Sequence, residues 1–150
     1  MAFLSGQLLA LPASSGYSRV CKVLCSESRR KGKSMAVILY HNPRCSKSRQ
    51  TLALLQDRGV KPQVIEYLKT PPDAATLSDI LDKLSMAPRD LMRRKEAVYG
   101  ELGLDNPELD RDALIQAMVE NPILIERPIL VVDGRKAALG RPPEQVLGIL

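Results

Sequence analysis

From Ala36 onward the chain alternates short apolar runs with segments whose apolar residues recur every three or four positions. "AVILYH" (36–41) is a short, strongly apolar run and predicts a buried strand. Asn42-Pro43 breaks it, and "SKSRQTLALLQDRG" then predicts a helix with Leu52 and Leu55 on its inner face, stopped by Gly59. "PQVIEYLK" (62–69) is rich in β formers and predicts a second strand. In "TPPDAATLSDILDKLS", Leu77, Ile80, Leu81 and Leu84 fall at i, i+3, i+4 and i+7, which is one face of a helix. "APRDLMRRKEAVYGELG" predicts a further helix ending near Gly103. "DRDALIQAMVENP" predicts another, with Leu114, Ile115, Met118 and Val119 on one side and Asn121-Pro122 as its stop. "PILVVDGRKAALG" carries a hairpin signal at Asp133-Gly134, and "RPPEQVLGIL" predicts a closing helix with two prolines in its first turn.

The order is β-α-β, three helices, then β-β-α. It predicts an α/β domain over 35–150 with a mixed sheet, a thioredoxin-like fold with a helical insertion between the second and third strands. At 150 residues, 45% hydrophobic, the chain suits a single core of ordinary size. With no Trp and one Phe, that core rests on Leu, Ile, Val, Ala and Met. No apolar run approaches the ~18–20 residues that cross a bilayer.

The net charge of +5 changes meaning once it is located. The first 34 residues hold six basic side chains against Glu27 alone, so residues 35–150 balance. A nucleic-acid surface would need a basic face on the folded part and aromatics for stacking; neither is visible. Residues 1–34 are expected to be an N-terminal extension, disordered or translated from upstream of a natural start at Met35. "FLSGQLLALPA" has the length of a signal-peptide core but no positive charge before it. Sequencing the N-terminus of the native protein checks the start at Met35, and a mature chain beginning near Met1 contradicts it.

The three cysteines, Cys21, Cys25 and Cys45, form neither a disulfide framework nor the two-residue spacing of a redox dithiol or zinc knuckle. One histidine in the chain makes a Cys/His metal site improbable, and the pattern suits a reducing cytoplasm. Cys45 stands where the first strand gives way to a helix. A thiol there becomes a thiolate more readily, because unpaired amides and the helix dipole stabilise the anion. Arg44, Lys47 and Arg49 add positive charge, and His41, four residues earlier, can reach back if the loop is tight. The same amides bind oxyanions. A phosphatase loop, C-x5-R, needs arginine at position 51, where Thr51 stands, and a dithiol needs cysteine at 48, where Ser48 stands. Any adduct on Cys45 is therefore expected to be resolved by an outside thiol rather than by Cys21 or Cys25.

"YHNPRCSKSRQTL", "LMRRKE", "NPILIERPILV" and "GRPPEQVLGIL", in this order from about Met35 to Leu150, resemble the ArsC arsenate reductase family, in its YfgD-like branch. The resemblance implies reduction of arsenate through a cysteine–arsenic adduct on Cys45, with glutathione as co-substrate, glutaredoxin as partner and no bound cofactor. It implies that Arg94, Arg127 and Arg141 hold the oxyanion, with Arg93 able to take the part of Arg94. Ser48 joins the substrate-binding set, His41 tunes the cysteine, and Pro128 takes the cis-proline position facing it. "RCSKS" departs from the Gly-Thr-Ser loop of the best-defined members. The alternative is an Spx-like thiol-based regulator that binds RNA polymerase. Such regulators usually carry a Cys-x-x-Cys switch, which Ser48 removes, and the arginines favour anion chemistry.

Overall fold

The apolar run after Met35 forms strand β1 (Val37–His41), one of the two inner strands of a four-stranded mixed sheet. The computed structural model describes residues 35–150; the expectations for residues 1–34, with Cys21 and Cys25, lie outside the described residues. Helix α1 (Ser46–Asp57) carries the chain over to β2 (Gln63–Glu66), which pairs parallel to β1. A helical stretch follows, with α2 (Ala74–Leu84), the short α3 (Pro88–Leu91) and α4 (Ala97–Glu101), and α5 (Arg111–Glu120). The chain returns as β3 (Ile129–Val132), antiparallel to β1, and β4 (Lys136–Leu139), antiparallel to β3. The sheet order is β2-β1-β3-β4, the thioredoxin-like mixed sheet expected from the pattern.

Alternation along the two inner strands builds a core on each face of the sheet. Val37, Leu39, Leu130 and Val132 pack with Leu55 of α1 and Val146 on one side. Tyr40, Ile129 and Val131 pack on the other with Leu77, Ile80 and Leu81 of α2 and Leu114, Ile115 and Met118 of α5. Leu39 and Leu130 are completely buried, which is why the inner strands read as unbroken apolar runs. The side chains of Asp73 and Asp110 cap α2 and α5, accepting from Thr76 N and Ala113 N at 2.7 Å. The β3–β4 turn forms at Asp133-Gly134 as expected, both residues with positive φ.

Two expectations are corrected. The single helix expected over "APRDLMRRKEAVYGELG" is broken at Met92, which is extended and bridges antiparallel to Ile125. Arg93 N donates to Leu124 O at 2.8 Å and Glu126 N to Leu91 O at 2.9 Å. Partners more than thirty residues away in sequence thus take the backbone groups that a continuous helix would have used internally. The closing segment Pro143–Ile149 is a 3₁₀ helix rather than an α-helix. Among the described residues no helix is long and apolar enough to cross a membrane.

Candidate active site

Strand β1 ends at His41, and the loop after it is organised by Asn42. Its side-chain oxygen accepts from Arg44 N at 2.9 Å, and its carbonyl accepts from Cys45 N at 3.0 Å. This fixes Cys45 as the residue that caps α1, extended at φ −94° and ψ 121°. That position ordinarily carries an oxygen side chain that accepts from the N–H groups two and three residues on. Here the Cys45 sulfur faces those same N–H groups, of Lys47 and Ser48, without a closed cap hydrogen bond. The free end of the helix thus serves the sulfur.

Cys45 is a partly buried free thiol. Burial pushes its pKa up, but the Ser48 and Lys47 N–H groups, the Arg127 guanidinium and the Ser48 hydroxyl bring it below its ordinary value. Reaction with iodoacetamide, followed against pH, is expected to have its midpoint below that of free cysteine run in parallel. An equal or higher midpoint contradicts this arrangement.

His41 is 6% exposed, and burial holds its pKa below the usual histidine value against the opposing influence of Glu66 and the Ser48 backbone. It is therefore a neutral imidazole at neutral pH, and its Nδ1 is buried without a hydrogen-bond partner. The Ser48 backbone is the part of the loop that acts on it.

Arg127 precedes β3 and is joined to Pro128 by a cis peptide bond, as is Arg141 to Pro142. The guanidinium lies beside Cys45 and Tyr67, yet its Nε and Nη1 are buried with no hydrogen-bond partner. Buried donors are almost always paired, so this pair of N–H groups is set for an acceptor that arrives from outside. Arg141 stands next in line. Its Nε donates to the Arg127 carbonyl at 3.1 Å and lies 3.1 Å from a Glu126 carboxylate oxygen.

Beyond Arg141 opens a cleft of about 450 Å³, lined among others by Arg93, Arg94, Lys95, Asp90 and Glu126. Arg94 lies on its rim, with its side chain 57% exposed, 3.7 Å from Asp90. Arg93 is better enclosed, ion-paired with Glu96, and its charge reaches Tyr67. The structure thus brings Cys45, Ser48 and Arg127 together, with Arg141 tied to the Arg127 backbone. Arg94 shares a cleft with Arg141. Of the adjacent arginines, Arg93 is the one whose charge is felt at Tyr67.

Gly140 holds this arrangement closed. Its N–H donates to the Pro128 carbonyl at 2.8 Å, and a Cβ on it would lie 2.7 Å from Pro128 Cγ and 2.8 Å from Thr51 Oγ1. Gly140→Ala is expected to cost about 1–3 kcal/mol in chemical denaturation, because the buried Pro128 or the buried Thr51 must shift to admit the methyl group. Full stability in this variant would show that the contact relaxes freely.

Sequence reading missed Tyr67, Asn42 and Glu126. A signal for Tyr67 existed. It follows Glu66, the register partner of His41, and so lies at the carboxyl end of the parallel β1–β2 pair, where open α/β sheets place ligands.

Comparison with known proteins shows the family. Residues 40–149 match the model of the ArsC family. The uncharacterized protein YfgD of Escherichia coli strain K12 is 61% identical over 115 residues, covering 76% of this chain and 96% of YfgD. An arsenate reductase of Neisseria meningitidis serogroup B is 53% identical over 113 residues, covering 75% of this chain and 96% of the relative. The solved structure of an arsenate reductase from Vibrio cholerae superposes with a TM-score of 0.75 at 53% identity, covering 78% of this chain and 99% of the other.

Proposed function

This chain belongs to the ArsC family, and from that premise we propose that it reduces arsenate to arsenite through a covalent adduct on Cys45, with glutathione and glutaredoxin as external reductants. The observation that carries the reading is a thiol held below its ordinary pKa beside a guanidinium with two buried, unpartnered nitrogens. An attacking thiolate and a tetrahedral oxyanion repel each other unless fixed cations stand between them. Arginine suits this task because it is permanently charged and its planar fork matches two oxygens at once.

In the first step the thiolate forms a sulfur–arsenic bond, and an arsenic–oxygen bond breaks. The departing oxygen leaves as water after taking protons from the solution. Glutathione then displaces a second oxygen as water and joins the arsenic through its sulfur. A glutaredoxin thiolate attacks that glutathione sulfur. The new disulfide carries off the sulfur, and the arsenic–sulfur electron pair stays on arsenic, now As(III). Hydrolysis frees arsenite and the Cys45 thiol.

Arg127 would hold the oxyanion at the sulfur, with Arg141 behind it and Arg93 or Arg94 from the cleft. Ser48 and the loop amides would hold the thiolate, and neutral His41 would support Ser48. Among the described residues Cys45 is the only cysteine, in keeping with electrons that come from external thiols. Phosphate fits the same cations but is not reduced by thiols, so binding alone is an insufficient test. NADPH oxidation, coupled through glutathione reductase, is expected to require arsenate, this protein, glutathione and glutaredoxin together. Loss of any one should return the rate to background, and a rate independent of this protein contradicts the reading.

A further inference from the structure

Tyr67 stands just beyond the end of β2, 1% exposed, and its hydroxyl has no hydrogen-bond partner. The hydroxyl faces two side chains, the Arg127 guanidinium and Asn42, and closes a hydrogen bond with neither. A guanidinium has donors only. The Asn42 oxygen accepts from Arg44 N, and its remaining lone pair closes no bond with the phenol. The Tyr67 proton thus has no acceptor at hydrogen-bond distance in the protein.

We propose that the Tyr67 hydroxyl is a substrate-contacting group that accepts from Arg127 and donates its proton to an oxygen of the oxyanion bound beside Cys45. This rests on the reading that an oxyanion occupies that site. Such an anion would supply at one stroke the acceptor missing for the Tyr67 O–H and for Arg127 Nε and Nη1. The phenol is suited to the part because it donates without adding a charge. Burial raises its pKa against the opposing Arg127 charge, so it keeps its proton at neutral pH. Ser48 and Thr51 also bury unpartnered hydroxyls, but Tyr67 is the one set against the guanidinium.

Tyr67→Phe keeps the packed ring and removes the hydroxyl alone. In the Cys45→Ser background, where no chemistry intervenes, the affinities for inorganic phosphate and for arsenate are measured by calorimetry. Removing Tyr67's hydroxyl is expected to weaken both by about 10- to 100-fold, as for a hydrogen bond to a charged acceptor. The anion-free protein should melt no lower than its parent, since only an unsatisfied buried group is lost. A purely structural role would instead lower the melting temperature and leave anion affinity unchanged.

A second measurement needs no variant at position 67. The chain has four tyrosines and no tryptophan, so its near-ultraviolet absorbance comes chiefly from tyrosine. Saturating phosphate is expected to produce a tyrosine difference spectrum that Tyr67→Phe abolishes. Equal affinities with and without the hydroxyl overturn the proposal. So does the absence of any difference spectrum, which decides the matter alone if Tyr67→Phe fails to fold. The readouts separate the two claims: Tyr67-dependent anion binding without arsenite production overturns the reductase reading while supporting the Tyr67 contact.

Discussion

Cys45→Ser is expected to lower arsenate turnover by at least about 10³-fold, to the level of a reaction without protein, while leaving the fold intact. The loss follows from the nucleophile. A thiol held below its ordinary pKa supplies more thiolate at neutral pH than a free cysteine does, whereas a serine hydroxyl needs a general base at hydrogen-bond distance. The sole histidine, His41, is buried with its Nδ1 unpartnered and closes no hydrogen bond to residue 45, so no such base is in place. Stability should hold or rise, because serine is among the best residues at the start of a helix and its oxygen can accept from Lys47 N or Ser48 N. Phosphate binding should persist, since Arg127 and the loop amides remain and a negative charge has gone. Heat denaturation with and without phosphate, beside the coupled assay, reads all three. Appreciable turnover by the serine variant would show that the thiol is not the nucleophile.

Arg127→Met should separate activity from stability in the opposite sense. Removal of one preorganised donor at a developing anion typically costs 10²–10³-fold, and a loss of about that size in kcat/KM is expected here. The variant should also be as stable as the wild type or more so by about 1 kcal/mol, because two buried nitrogens without partners are removed. The same substitution acts on the thiol. Arg127 is among the groups that draw the Cys45 pKa down, so its loss moves the pKa up and shifts the alkylation midpoint to higher pH. Arg127→Lys keeps the charge without the fork and should fall between the two proteins. If Arg127→Met were strongly destabilised with an unchanged alkylation profile, the guanidinium would be a structural anchor.

The strand-to-helix junction at Cys45 was legible in the sequence because everything that builds it is local. An apolar run, Asn42-Pro43 and a polar helix start lie within a dozen residues. The two-faced core was legible for a similar reason, since continuous apolar runs at 37–41 and 129–132 fit strands covered on both sides. What depended on distant pairing was not legible. The break at Met92 exists because Ile125 and its neighbours take the backbone groups there. That break decides how Arg93 and Arg94 point, so a helical pattern over 88–103 could not separate them. Arg141 announced itself by charge, but its tie to Glu126 and the Arg127 carbonyl needed the fold. Tyr67 sat inside a stretch of β formers, where an aromatic is unremarked.

The central claim is that one helix-capped thiol reduces arsenate with electrons supplied from outside the chain. Arsenic speciation tests it most directly, by counting arsenite formed from arsenate with glutathione and glutaredoxin present. The account predicts sustained arsenite production by the wild-type protein, many arsenites per protein molecule, and none above the protein-free control with Cys45→Ser. Arsenite yields that are the same for wild type and Cys45→Ser would contradict it.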